Sequence, residues 1–251
     1  MRLVARSLLL LILTACSADG QDDAAVAPST ETPPARDIYI GRRIARTMHY
    51  LGAPWLVRDA RVREEEPAKL MASLDVRPGQ VVCDLGCGNG FYALRLAERV
   101  GPDGKVYAVD IQPEMLDLLR LRAEARSLAN VTPVRGMVTD PKLPTDKLDL
   151  ILLVDAYHEF SHPVQMLAAM RAALSPAGRV ALVEFRAEDP AVPIKPLHKM
   201  TQQQCLKEFT ANGYQLVGQF DGLPWQHVLL FARDDSPLPA TDLTPWAPPA
   251  E

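Results

Sequence analysis

Between Val81 and Gly90 the chain reads Val-Val-Cys-Asp-Leu-Gly-Cys-Gly-Asn-Gly: an apolar run, a carboxylate, then glycine at three alternate positions. Phe91-Tyr92-Ala93-Leu94-Arg95-Leu96-Ala97 follows with its apolar residues at helical spacing. This order predicts a buried strand, a tight turn and a helix. Glycine has no Cβ, so such a turn lets the backbone approach a ligand closely. The helix start adds unpaired N–H groups and the positive end of the helix dipole. Asp84 stands at the carboxyl end of the strand, where open α/β sheets bind their ligands.

The spacing separates this turn from similar ones. A dinucleotide fingerprint needs Gly-x-Gly-x-x-Gly, and a phosphate loop needs Gly-Lys-Ser/Thr after it. Here Gly86, Gly88 and Gly90 give Gly-x-Gly-x-Gly, and no Gly-Lys-Ser/Thr follows. Asp84 with these three glycines resembles the first motif of class I S-adenosylmethionine-dependent methyltransferases. The rest of the chain bears on that resemblance in order. Lys105-Val106-Tyr107-Ala108-Val109-Asp110 reads as a second strand ending in an acid. A carboxylate there can accept both hydrogen bonds of a ribose diol. The resemblance implies that Asp110 binds the cofactor ribose and that Ile111 packs on its adenine. A helix then opens at Pro113, a residue suited to the first helical position; Met115, Leu116, Leu118, Leu119 and Leu121 form its expected apolar face.

Val131 to Val134 is a short third strand, followed by Arg135-Gly136-Met137-Val138-Thr139-Asp140. Many family members carry an acid directly after this glycine. This chain has Met137 there, with Asp140 three residues on. Asp140 therefore has two readings: a partner for the adenine amino group, or a solvated turn residue before Pro141. Leu148 to Asp155 is a near-continuous apolar run, as expected of a central parallel strand buried on both faces. The backbone around Val154 and Asp155 joins the expected cofactor site. A helix over Pro163–Leu174, the Leu-x-Pro-x-Gly-Arg pattern ending at Arg179, and a fifth strand to Phe185 complete five ordered features over about residues 75–186. Later come a helix near Thr201–Ala211 and two strands, Tyr214–Phe220 and His227–Ala232. The expected fold is α/β: a doubly wound, Rossmann-like, seven-stranded and mostly parallel sheet whose last strands form an antiparallel hairpin.

The chain has 251 residues, 48% of them hydrophobic, and a formal charge of −4, which suits one globular domain with a sizeable core. Neither that charge nor any Lys/Arg cluster with interleaved aromatics points to nucleic acid. Arg2 and Arg6 flank a short apolar segment, Leu8 to Leu13, then Thr14-Ala15-Cys16. This has the layout of an export signal and is too short for a stable bilayer span. Leu13 to Cys16 resembles the bacterial lipobox, which implies a lipid on Cys16; Ser17 resembles the outer-membrane sorting pattern. The expected divisions are a signal over residues 1–15, the lipidated cysteine and a flexible tether over 16–37, a helical cap over 38–76, the core over 77–234 and an irregular Pro-rich tail over 235–251. Cys83, Cys87 and Cys205 do not suggest a disulfide framework.

The resemblance implies that the carboxyl ends of the fourth and fifth strands face a methyl acceptor. That places Tyr157, His158, Glu159, Glu184 and Arg186 near it, with His198 and Lys199 folding over as a lid. Methyl transfer from a sulfonium is an in-line displacement in which alignment supplies much of the acceleration. An acceptor hydroxyl or activated carbon must also lose a proton. His158 is the candidate base, oriented by Glu159 or Glu184, with His198 as a second base. Met48, Tyr50, Leu51 and Trp55 are candidates for the roof of the acceptor pocket. No short ligand spacing supports a metal centre, so none is assigned. The motifs look most like the small-molecule branch that includes the quinone C-methylases. The alternative is a non-catalytic exported lipoprotein that binds a nucleoside or metabolite on the same fold.

Overall fold

A computed structural model describes residues 32–248. The export signal, Cys16 and most of the expected tether lie outside the described residues. Among the described residues seven strands form the main sheet: β1 (Val81–Leu85), β2 (Lys105–Asp110), β3 (Val131–Arg135), β4 (Leu148–Val154), β5 (Leu174–Arg186), β6 (Tyr214–Phe220) and β7 (Gln226–Arg233). Their order is β3-β2-β1-β4-β5-β7-β6, with β7 antiparallel to both neighbours and the other pairs parallel. One reversed strand in a mostly parallel, doubly wound sheet is the architecture expected from sequence. A two-residue strand, Lys199–Met200, adds to the end of β5. Pro133 lacks a backbone donor and sits in β3, which among the described residues is an edge strand paired with β2.

The apolar runs feed two cores because successive residues of a strand point to opposite faces. On β4, Leu150 and Leu152 join one core while Ile151 and Leu153 join the other. The first core is closed by α2 (Pro67–Ser73), α3 (Ala93–Val100) and α4 (Pro113–Glu124), the second by α5 (Pro163–Ala173) and α6 (Gln202–Thr210). Ala93, Leu96, Ala97 and Val100 are buried at i, i+3, i+4 and i+7 of α3. On α4 the buried set is Met115, Leu116, Leu119 and Ala123, whereas Leu118 and Leu121 face solvent. Five apolar residues in seven exceed the width of one helical face, so two of them are left outside.

The cap departs most from expectation. Ile38–Tyr39 and Arg42–Arg43 pair as a small hairpin, with Ile40 and Gly41 at positive φ between them. A 3-10 helix, Tyr50–Val57, and two helices, α1 (Arg61–Glu64) and α2, complete it. Arg42 fixes the hairpin. Its guanidinium pairs with buried Glu208 at 2.7 Å and donates to the His158 carbonyl at 3.0 Å. The end of the expected tether is also docked: Arg36 N–H donates to the Ser161 carbonyl, and His162 Nε2 lies 2.8 Å from the Pro33 carbonyl. From Asp234 to Pro248 the tail has no regular element, in keeping with its prolines, yet Trp246 lies over the Arg186 guanidinium.

Candidate active site

A cavity of about 530 Å³ runs along the carboxyl ends of β1, β2, β4 and β5. The cap and the segment after β5 supply its other walls. Each of the four strands ends where its apolar run meets a polar or glycine-rich loop, so functional groups emerge side by side at one edge.

At one end, Gly86 and Gly88 form the floor. Their φ angles are +79° and +51°, and a Cβ at Gly88 would come within 2.5 Å of Leu56 in the cap. Glycine here permits both the left-handed turn and the close roof. Asp110 lines the same end. One of its oxygens accepts from Gly88 N–H and the other from Gln112 N–H, both at 2.9 Å. Burial pushes its pKa up, and these N–H groups pull it back. Each oxygen keeps a second lone pair, so the carboxylate can still accept from a diol. Ile111 lines the wall beside it. Gln112 then clamps the cap, accepting from Tyr50 N–H and donating to the Met48 carbonyl.

Three of the expected cofactor residues do not line this cavity. Gly90 faces Leu119 of α4, where any Cβ would collide, so it serves helix packing. Asp84 lies buried behind the glycine floor. Burial raises its pKa to about 7; the Ala93 N–H and the charge of Arg61 oppose that rise, and one of its oxygens has no partner. Asp140 closes a turn on Met137 and pairs with Lys142 at 2.6 Å. That turn sends Met137 and Val138 to the cavity in its place.

The other end gathers His158, Glu159 and His198. His158 follows β4 and is buried; its Nδ1 lies 2.6 Å from Oε2 of Glu184, on β5. A carboxylate can only accept, so Nδ1 carries the proton and Nε2 faces the cavity. Burial alone lowers the His158 pKa, but Glu184 outweighs it and the value ends above the ordinary imidazole range. Nε2 lies 3.1 Å from Nδ1 of His198. The His198 pKa is lowered, first by burial and then by His158. Glu159 accepts from Met48 N–H at 3.1 Å, and burial lifts its pKa to about 7. Asp155, at positive φ, accepts from Gln226; burial and then Glu65 raise its pKa.

Of the two acids expected to orient His158, Glu184 holds the ring and Glu159 the cap. Tyr157, Arg186 and Lys199 are not at the cavity. Tyr157 donates to Glu208, Arg186 to carbonyls of the β6–β7 connection and β7, and Lys199 to carbonyls of the lid at Asp189 and Val192. Met48 and Trp55 do line it, whereas Leu51 is exposed. Arg61 was not foreseen. It lines the cavity, is 4% exposed, pairs with Glu65 at 2.6 Å and lies over Phe91 and Tyr92. The i, i+4 spacing of Arg61 and Glu65 was the available signal.

A family model described as a methyltransferase domain matches residues 77–230. The ubiquinone/menaquinone biosynthesis C-methyltransferase of Cupriavidus metallidurans is 31% identical over 149 residues, 59% of this chain and 58% of that protein. The nocamycin O-methyltransferase of Saccharothrix syringae is 32% identical over 114 residues, 45% of this chain and 41% of that protein. The chain thus spans about half the length of the curated relatives it matches. A solved structure described as a SAM-dependent methyltransferase from Aquifex aeolicus superposes with a TM-score of 0.69 at 22% identity, over 74% of this chain and 98% of that one. A [4+2]-cyclase, SpnF, has a TM-score of 0.55 at 19% identity, over 66% of this chain and 64% of that one. Likenesses at this identity speak for the fold, which hosts more than one chemistry.

Proposed function

This chain belongs to the methyltransferase-domain family, whose cofactor is S-adenosylmethionine, and from that premise we propose that it transfers the cofactor's methyl group to a small, largely apolar acceptor. One observation carries the reading. The Asp110 cradle with its glycine floor opens into the same cavity as the His158–Glu184 pair. Asp110 would hold the ribose diol, and Ile111 with the Met137–Val138 turn would flank adenine. The acceptor occupies the space between Trp55, Phe185, Ile194 and His158. C-methylation of quinone precursors by similar proteins supports an electron-rich ring in that place.

Bound there, the cofactor would supply an electrophilic methyl group, transferred to the acceptor atom as its carbon–sulfur bond breaks. An acceptor bearing a proton gives it to Nε2 of His158. Glu184 then faces an imidazolium, which it stabilises through Nδ1–H. A positioned base of this kind contributes about 10²–10⁴-fold. Calorimetric titration of the purified protein with S-adenosylmethionine and S-adenosylhomocysteine is the test. Dissociation constants on the order of micromolar, about −8 kcal/mol, are expected. Folded protein that binds neither compound would overturn the reading in favour of a non-catalytic lipoprotein.

The leader residues Arg2, Arg6 and Leu8–Cys16 support a second part of the proposal: a lipid on Cys16 holding the domain at the periplasmic face of the outer membrane. Such a domain must receive a cofactor made in the cytoplasm. Mass spectrometry of membrane and soluble fractions decides this, with an acylated N-terminal cysteine expected and unmodified cytoplasmic protein as the contrary result.

A further inference from the structure

The acceptor end contains more ligating groups than proton transfer requires. His158 Nε2 and His198 Nδ1 face each other at 3.1 Å. Oε1 of Glu159 is 4.0 Å from His158 Nε2. One ligand atom from each of these three residues lies within 4.8 Å of the other two. An ion bonded tetrahedrally to two imidazole nitrogens at 2.0–2.1 Å holds them about 3.3 Å apart. The imidazoles are therefore already close to the spacing of a shared ion, and the Glu159 carboxylate, 4.0 Å from His158 Nε2, is the third candidate ligand.

The surroundings favour the same use. His158 donates through Nδ1 to Glu184, which is fully buried. A carboxylate on the far nitrogen is the arrangement that fixes the tautomer of a metal-binding histidine and raises its basicity. His198 approaches from the lid after β5, forty positions along the chain from His158. Short-spacing motifs are blind to such a pair.

We propose that His158 Nε2, His198 Nδ1 and Glu159 hold a divalent transition cation, Zn²⁺ or a first-row ion of similar preference. Two imidazoles and one carboxylate select such ions over Mg²⁺ and Ca²⁺, which prefer all-oxygen sites. Three protein ligands leave an open position toward the cavity, as catalytic sites do. The inference rests on the methyltransferase reading and names how the acceptor is activated. An ion-bound hydroxide takes the proton of an acceptor hydroxyl and leaves as water, and the acceptor oxygen takes its place as an oxyanion. Ion and proton are alternative occupants of the gap between the imidazoles. In the loaded protein His158 is therefore a ligand rather than the base.

The test is titration of Co²⁺, then Zn²⁺, into chelator-stripped full-length protein. Binding of one equivalent is expected, with visible ligand-field bands that Zn²⁺ displaces. His198→Ala and Glu159→Gln each weaken Co²⁺ binding at least tenfold. Glu184→Gln weakens it about 10–100-fold, the usual effect of losing an outer partner of a ligand. S-adenosylhomocysteine affinity, measured on the same samples, reports folding and stays within twofold in His198→Ala. Absence of stoichiometric bands, or equal Co²⁺ affinity in wild type and His198→Ala, overturns the cation site. Cofactor binding without Co²⁺ binding sinks this inference alone. Co²⁺ binding without cofactor binding leaves the site standing and sinks the methyltransferase reading.

Discussion

The two ends of the cavity use different materials. The floor of the cofactor end is glycine backbone and one short acid, all within Gly86–Asp110 and at strand ends. The acceptor end is built from long side chains on β5, the loop after β4, the lid and the cap. The first end is set by local geometry and has little freedom. The second depends on packing between distant segments, so it can change acceptor without disturbing the cofactor turn. Relatives described as C- and O-methyltransferases fit that division of labour.

Substitutions in the glycine turn and at Asp110 should do the most damage. Gly90→Ala places a Cβ against Leu119 at a φ of +81°. The left-handed conformation costs about 1–2 kcal/mol and overpacking about 1–3 kcal/mol. A fall in unfolding free energy of about 2–5 kcal/mol is expected in urea denaturation; an unchanged midpoint would break the claim that this glycine is a packing residue. Asp110→Asn puts an amide N–H₂ against one of two backbone N–H donors. Losing charge-assisted bonds worth about 3 kcal/mol in all weakens S-adenosylmethionine roughly 10²-fold. Calorimetry checks it, with circular dichroism to show that the fold persists.

Asp84 sharpens the comparison through pH. Its folded pKa, about 7, exceeds the ordinary carboxylate value of 3.8 because the group is buried. The stability tied to its protonated form is complete below the ordinary value and is lost as pH rises through about 7. Wild-type apoprotein should therefore lose stability between pH 4 and pH 8 more steeply than Asp84→Asn. Parallel thermal-melting profiles for the two proteins would refute this. The smallest effect belongs to Asp140, which is spent on Lys142 outside the cavity. Asp140→Asn should alter cofactor affinity less than twofold, and a tenfold loss would return Asp140 to the adenine site.

Legibility followed the same line. The strands and turns along the chain, the terminal hairpin, the glycine turn and the acid ending β2 were readable because each depends on neighbours in sequence: alternation, a φ sign, a residue at a strand's last position. Glu184 was named but not ranked above Glu159 as the partner of His158, since both acids lie near strand ends. Only the register of β5 beside β4 brings Glu184 to the imidazole. The cap was misread as wholly helical because Glu208, which pins the Arg42 hairpin, lies 166 positions further along the chain.

By itself the sequence determined the buried strands, the glycine turn at Gly86–Gly90 and the helix that follows it, because short-range sterics and periodicity act within a few residues. Tertiary structure alone decided that Asp84 sits behind the cavity wall, that Asp140 turns away, that Arg61 joins the site, and that Glu184 rather than Glu159 holds the His158 ring. Those positions follow from how separate segments pack, and the energy of that packing belongs to pairs of residues that no local pattern connects.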